Sequence, residues 1–154
     1  MRIQVKLSDI VEGMESQSFD NRVYMNLKTG EIVFILGEFL RKAEDEESFD
    51  HMIEWQRDMM QEAYEIIETD DYIPLPEYEI DEYQMMERFC YTITDSNIQN
   101  KLIDSIQGRG AFRRFKDLIH RLNVSNDWYD YRYKAYLQIA KRFCEQNNIA
   151  YTGS

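Results

Sequence analysis

The chain has 154 residues, the length of one typical domain, and such a chain buries roughly 68–70% of its unfolded surface. Hydrophobic residues make up 44% and aromatic residues 14%, which excludes a disordered chain although 31% of the residues are charged. The formal net charge of −11 disfavours general nucleic-acid binding, because a phosphate backbone would be repelled except over a confined patch. The sequence therefore predicts a single folded domain over residues 1–154.

The apolar runs and the cysteines indicate the cellular compartment in which the protein is expected. No stretch approaches the ~20 apolar residues that a membrane span needs, and the first residues alternate in polarity instead of forming an apolar leader. Cys90 and Cys144 each follow Arg-Phe within a helical pattern, and so sparse a pair in an acidic chain is typical of reduced, buried thiols. We expect a cytoplasmic protein with no membrane contact and no cofactor.

The start of the chain predicts a small sheet and a short helix. Polar and apolar residues alternate from Arg2 to Leu7, which is the period of a strand with one buried face. Ser8 is placed to cap a helix that ends near Ser16. The apolar runs 23–27 and 31–36 flank a Lys28-Thr29-Gly30 loop of the kind that joins hairpin strands. Together these segments predict a three-stranded antiparallel or mixed sheet.

Helical periodicity begins near Glu38, and the helices of this region are acidic. One predicted helix carries apolar residues on a single face, and these are Met52, Trp55, Met59, Ala63 and Ile66. We expect Trp55 in the core. The acids of the region are Glu44 to Glu47, Asp50, Glu54, Asp58, Glu62 and Glu65. Such a run is typical of a solvated helix face, although it could also present a negative surface to a basic partner.

An extended connector is predicted at Pro74 and Pro76, because proline stops a helix. Three helical segments are then expected: one that opens at Asp81, which forms a capping-box pattern with Gln84, one at about 95–106, and a last one at about 126–147. The last helix is predicted to bury Trp128, Ala135, Ile139 and Phe143 and to flank them with Tyr129, Tyr131, Tyr133 and Tyr136.

The stretch from Gly108 to Arg121 runs against the composition of the chain. Its five cations and single acid, Asp117, give it a charge of +4, and residues 91–154 as a whole carry +4, whereas residues 31–90 carry −15. A helix opening near Gly110 would group its side chains into an apolar stripe, Phe112, Phe115, Ile119 and Leu122, and a basic stripe, Arg109, Arg113, Lys116 and His120. The glycines match no Walker or dinucleotide spacing.

The ten residues G-R-G-A-F-R-R-F-K-D, preceded by Tyr72-Ile73-Pro74-Leu75-Pro76 and followed by Asp127-Trp128-Tyr129, resemble an uncharacterised bacterial protein family, numbered 0158 among the unassigned groups. The resemblance spans nearly the whole chain. It implies a small soluble bacterial protein, and it brings no known activity, cofactor or catalytic residue.

We predict an α+β fold in which a small N-terminal three-stranded sheet packs on a mainly helical C-terminal body. Its sub-regions are a sheet with a short helix at 1–37, acidic helices at 38–73, and a helical body with the basic helix at 74–154. The function favoured by the charges is that of a non-enzymatic binding or regulatory protein with an unknown, most simply protein, partner. The candidate binding residues are Arg109, Arg113, Arg114, Lys116 and His120.

Three alternatives stay open for the basic stripe. The acidic segment could fold over it as an internal ion-pair network. Nucleic acid could bind it, since aromatic side chains beside arginine stack bases. An enzyme with a site near His120 is the third, although neither His51 nor His120 lies in a nucleophile motif and no metal-ligand spacing is present. The oligomeric state does not follow from the sequence.

Overall fold

The computed structural model describes residues 3–153, which form two compact units. The first unit contains residues up to Glu77 and the segment from Ala140 onward, and the second unit is Tyr78–Ile139. Arg2, the first residue of the predicted opening strand, lies outside the described residues. The single-domain organisation therefore stays a prediction.

Within residues 3–153, the chain has the α+β composition that the sequence predicts. Its strands are β1 (Gln4–Lys6), β2 (Asn21–Asn26), β3 (Ile32–Leu36), β4 (Tyr72–Pro74) and β5 (Ala150–Thr152). Its helices are α1 (Leu7–Glu15), α2 (Gly37–Glu44), α3 (Glu54–Glu68), α4 (Glu82–Cys90), α5 (Ser96–Ser105), α6 (Ala111–Arg121) and α7 (Ser125–Gln146). Among the described residues, no helix is both long and apolar enough to span a membrane.

The three-stranded sheet is antiparallel, but its strands are not the three that the sequence predicts. Its order is β3-β2-β4, with Val23 opposite Phe34 and Tyr24 opposite Pro74. Strand β1 instead pairs in parallel with β5, where Val5 lies opposite Tyr151. The sheet is thus interleaved with helices instead of being strictly N-terminal. Strand β4 takes an edge position because the proline within it has no N–H to donate.

The hairpin between β2 and β3 is confirmed. Gly30 adopts a left-handed backbone with φ of 78°, which only glycine reaches without steric cost. The side-chain oxygen of Asn26 accepts from the N–H groups of Lys28 and Thr29 at 2.8 and 3.3 Å. These local bonds fix the loop, and the loop fixes the register of the two strands.

Helix α1 begins two residues earlier than the sequence predicts, and Ser8 is not its cap. The residue at the cap position is Lys6, whose side chain makes no capping bond. Strand β1 continues directly into α1, so Leu7 is already helical and Ser8 lies inside the first turn. Gly13 then allows α1 to approach the sheet, because a Cβ there would lie 2.6 Å from the Leu75 side chain.

The first unit buries its core between the sheet and helices α2 and α3. The core residues are Val33, Ile35, Phe39, Leu40, Ala43, Met60, Ala63 and Ile66. The expectation that Trp55 belongs to this core is wrong, since Trp55 is 52% exposed. Its ring meets that of Phe39 edge to face, at 6.0 Å between ring centroids. The buried face of α3 is rotated, and Met60 is fully buried where the sequence analysis placed Met59.

The second unit consists of α4, α5, α6 and the first part of α7. Asp81 caps α4 by accepting from the Gln84 N–H at 2.9 Å, as the sequence predicts, and Asp95 caps α5. The core of this unit is a cluster of aromatic rings, Phe89, Phe115, Trp128 and Tyr131. Rings Phe115 and Trp128 meet edge to face at 5.0 Å, a favoured arrangement for aromatic pairs.

Helix α7 buries most of the residues that its pattern predicts. Trp128, Ile139 and Phe143 are buried, whereas Ala135 is only half-buried. Tyr136, predicted to flank this face, is itself buried.

Both cysteines are free and buried, and burial raises the pKa of each thiol to about 11. They stay protonated at neutral pH, so neither supplies a thiolate there.

Candidate partner-binding surface

The chain enters α6 through a glycine turn, as the sequence predicts. Gly110 lies at the helix cap position with φ of 78° and ψ of 14°, the left-handed region. Gly108, two residues earlier, has φ of 74°. The two glycines let the backbone reverse direction between α5 and α6 at low steric cost.

Arg114 holds this turn together. Its Nε donates to the Ser105 carbonyl at 3.0 Å, and its terminal nitrogens donate to the carbonyls of Gln107 and Arg109. One guanidinium therefore satisfies three carbonyls, that of the last residue of α5 and two in the loop that follows. Among the candidate binding residues, Arg114 contributes chiefly to positioning the others.

Helix α6 separates its buried and charged sides sharply. Ala111, Phe115 and Ile119 are buried, whereas the predicted basic stripe is exposed in full. Phe112 is 46% exposed, so the expectation that it packs with Phe115 is wrong. At about 100° per residue, position 112 lies between the apolar side and Lys116. We call Arg109, Phe112, Arg113, Lys116 and His120 the basic face.

The cations of the basic face have no carboxylate within salt-bridge distance in the described chain. Ion pairs among the described residues use other side chains, and they include Arg22–Glu77, Lys28–Asp71, Arg132–Glu82 and Lys134–Asp130. Within the second unit the basic face therefore has no ion-pair partner, and an internal network with the acidic segment of the first unit stays an alternative. The charge of the basic face is available to solvent.

Backbone donors open beside these cations. The carbonyls of Gln107 and Arg109 point toward Arg114. The N–H groups of Gly108 and Gly110 belong to the same two peptide bonds, and they point the opposite way, because the C=O and N–H of a trans peptide are antiparallel. Across the described residues, the N–H groups from Gly108 to Arg113 find no protein acceptor. Free N–H groups at the start of a helix favour anions, and here they add to the charges of Arg109 and Arg113.

A polar cluster that the sequence did not reveal lies near Lys116. Arg132 donates to the Glu82 carboxylate from two nitrogens, at 2.6 and 2.8 Å, and the Tyr136 hydroxyl donates to it at 2.5 Å. Burial would raise the pKa of Glu82, but these hydrogen bonds and the charges of Arg132 and Lys116 outweigh it, and the pKa falls below its usual value. These partners are too far apart in sequence for a local pattern to predict them.

The structure gives little support to a catalytic centre near His120. No carboxylate of the described chain lies within salt-bridge distance of the His120 imidazole, and both histidines are exposed. Residues 3–153 contain no group of three or more His, Cys, Asp or Glu side chains arranged to hold a metal. An open groove of about 470 Å³ does lie beside α7, lined by Phe89, Thr92, Ile93, Thr94, Asp95, Ile98, Asp127, Asp130, Tyr131 and Lys134.

Fold and surface together define a small α+β protein that exposes one strongly basic helix in an acidic chain. The chain belongs to the uncharacterised protein family UPF0158, whose family model matches residues 4–152. The family membership inferred from the sequence is thus confirmed. No curated protein and no solved structure matches the chain.

Proposed function

We propose that this is a non-enzymatic binding or regulatory protein, and that the basic face of α6 binds an acidic surface on a protein partner. The observation that carries the proposal is the exposure of three cations, Arg109, Arg113 and Lys116, none of which has a carboxylate within salt-bridge distance among the described residues. Exposed cations concentrated on one side of a helix, in a chain of net charge −11, create a confined positive field.

Phe112 supports a protein partner over a nucleic acid. Protein interfaces combine an apolar or aromatic centre with a charged rim, and Phe112 beside Lys116 and Arg113 matches that composition. The eight residues from Arg113 to His120 span only about 10 Å of helix, which leaves room for few phosphate contacts. Nucleic-acid binding through Phe112 stacking is the second candidate, and the experiment below separates the two.

The open N–H groups at the start of α6 extend the same surface. A carboxylate of the partner placed there would accept from the backbone N–H of Gly110 while it faces the guanidinium of Arg109 or Arg113. The proposal therefore predicts an acidic patch that is recognised both by charge and by hydrogen-bond direction.

The experiment is recovery of partners from cell lysate with and without nuclease, using a variant that carries Arg109→Gln, Arg113→Gln and Lys116→Gln. Binding should be lost, whereas the free energy of unfolding should change by no more than about 1 kcal/mol for each exposed charge. Nuclease should leave the recovery by the wild-type protein unchanged.

The matched control removes three exposed charges elsewhere, Arg57→Gln, Arg88→Gln and Lys101→Gln, and should retain the partner. Equal loss in the control would mean that net charge and not the basic face matters. Loss of wild-type recovery after nuclease would favour nucleic acid instead. A destabilisation of several kcal/mol with recovery intact would contradict the proposal, since it would give the cations a structural role.

A further inference from the structure

Helix α3, like α6, has one buried apolar side and one charged side, but its charged side is acidic. Its Met60, Ala63 and Ile66 are buried, and carboxylates occupy the other side. Asp58 and Glu65 are exposed and Glu62 is half-buried. Within residues 3–153, none of these three carboxylates has a cation within salt-bridge distance. We call Asp58, Glu62 and Glu65 the acidic face of α3.

The two faces match in spacing when the helices run antiparallel. On α6, Arg113, Lys116 and His120 are separated by three residues and then four. On α3, Asp58, Glu62 and Glu65 are separated by four residues and then three. Read in opposite directions, the intervals coincide, and each set spans about 10 Å of helix. The alignment pairs Arg113 with Glu65, Lys116 with Glu62, and His120 with Asp58.

The Glu65 carboxylate accepts from the Tyr72 hydroxyl at 3.0 Å, but among the described residues no cation lies within salt-bridge distance of the acidic face. Burial, followed by the charges of Glu65 and Glu31, raises the pKa of the Glu62 carboxyl. A cation placed beside Glu62 would offset the repulsion among these carboxylates. Lys116 is the side chain that the antiparallel alignment brings there.

We propose that the acidic partner of the basic face is α3 of a second copy of this chain, bound antiparallel to α6. The inference rests on the function proposed above and names the surface that the basic face recognises. Each copy offers one basic and one acidic face, so the assembly is either a closed pair with two such contacts or an open chain.

The net charge sets the strength of this association. Two copies of charge −11 repel one another, but exposed charges are screened beyond about 8 Å at physiological salt. At contact the local charges dominate, and there α6 is positive and α3 is negative. We therefore expect a weak and salt-sensitive association.

Sedimentation velocity of the full chain tests the proposal directly. At about 0.15 M salt, where the Debye length is about 8 Å, the mean mass should rise with protein concentration up to about 1 mM, and at about 1 M salt, where the Debye length is about 3 Å, the chain should sediment as a monomer. A monomer at every concentration at about 0.15 M salt would overturn the proposal. So would an association that does not weaken with salt.

Charge reversal tests the pairing itself. Arg113→Glu with Lys116→Glu, and separately Glu62→Lys with Glu65→Lys, should each raise the dissociation constant about tenfold or more. A mixture of the two variants should associate again. All four changes in one chain should also restore self-association, and that chain keeps the wild-type net charge. Failure of both restorations would overturn the antiparallel pairing.

Circular dichroism checks that each reversed variant is folded. If a reversed variant does not fold, Arg113→Gln with Lys116→Gln replaces the basic reversal, Glu62→Gln with Glu65→Gln replaces the acidic one, and both should weaken association. The proposed function fails separately from this inference: a monomeric wild type whose partner recovery still depends on Arg109, Arg113 and Lys116 overturns self-association and retains the binding surface.

Discussion

The two compact units build their cores from different side chains. The core of the first unit is mainly aliphatic, with Phe39 as its fully buried aromatic residue. The second unit relies on aromatic rings, with Phe89, Phe115 and Trp128 meeting edge to face. Aromatic pairs have preferred angles, whereas aliphatic side chains pack without such a directional preference. We infer that the second core fixes the orientation of its helices more strictly.

This difference bears directly on the charged helices. Phe115 lies in the aromatic core and fixes the rotation of α6, so Arg113 and Lys116 face outward. Helix α3 is held by Met60, Ala63 and Ile66, and its rotation is set by smaller and more adaptable contacts. The basic face should therefore be sensitive to changes in its core, and the acidic face more tolerant of changes in its own.

The two tryptophans give the strongest test of this comparison. Trp128 is 2% exposed and contacts Phe89 and Phe115, so Trp128→Ala should lower the free energy of unfolding by about 3–5 kcal/mol. Trp55 is 52% exposed, and Trp55→Ala should cost about 1 kcal/mol. Denaturant unfolding of both variants measures the difference. Similar midpoints would contradict the assignment of Trp128 to the core of the second unit.

Local signals predicted much of this architecture. The cap at Asp81 and the hairpin loop at Gly30 are fixed by hydrogen bonds between residues close in sequence, and the turn at Gly110 by the backbone freedom of glycine. Such signals are present in the sequence because their physical cause is local. The exposed basic stripe followed from the same helical period.

Features that depend on distant partners were missed. Strand β5, at Ala150–Thr152, is only three residues long and pairs with a strand at the other end of the chain, so no pattern marked it. The exposure of Trp55 and of Phe112 depends on the rotation of each helix about its own axis, which decides which residues face the core. Hydrophobic periodicity predicts the buried positions only to within about one residue. The hydrogen bonds from Arg114 to three carbonyls likewise could not be predicted, because they depend on the three-dimensional course of the loop between α5 and α6.

A second prediction concerns the polar cluster of the second unit. Glu82→Gln should lower the free energy of unfolding by about 2 kcal/mol at neutral pH, because it removes a charged acceptor from Arg132 and Tyr136. The folded-state pKa of Glu82 lies below 4.5, so its contribution is present above that pH and is lost as the pH falls through the folded-state value.

Thermal unfolding between neutral and acid pH measures this contribution. The difference between wild type and variant should shrink below about pH 4. Glu87→Gln, an exposed change of equal charge on the same helix, is the control and should have little effect. A difference that persists undiminished at acid pH would mean that packing and not charge stabilises the cluster.

The smallest expected effect is the difference in the free energy of unfolding between substitutions at Gly108 and at Gly110, the two glycines of the turn before α6. Both have left-handed backbones, so any side chain is strained at either position, by about 1–2 kcal/mol. At Gly110 a Cβ would also lie 3.1 Å from the Arg114 guanidinium that holds the loop, whereas at Gly108 it would meet open space. Gly110→Val should therefore destabilise the fold by about 1 kcal/mol more than Gly108→Ala. Denaturant midpoints of these variants measure the difference, and Gly110→Ala is the size-matched comparison. Equal midpoints for all three variants would show that the Arg114 side chain adapts freely and does not constrain the start of α6.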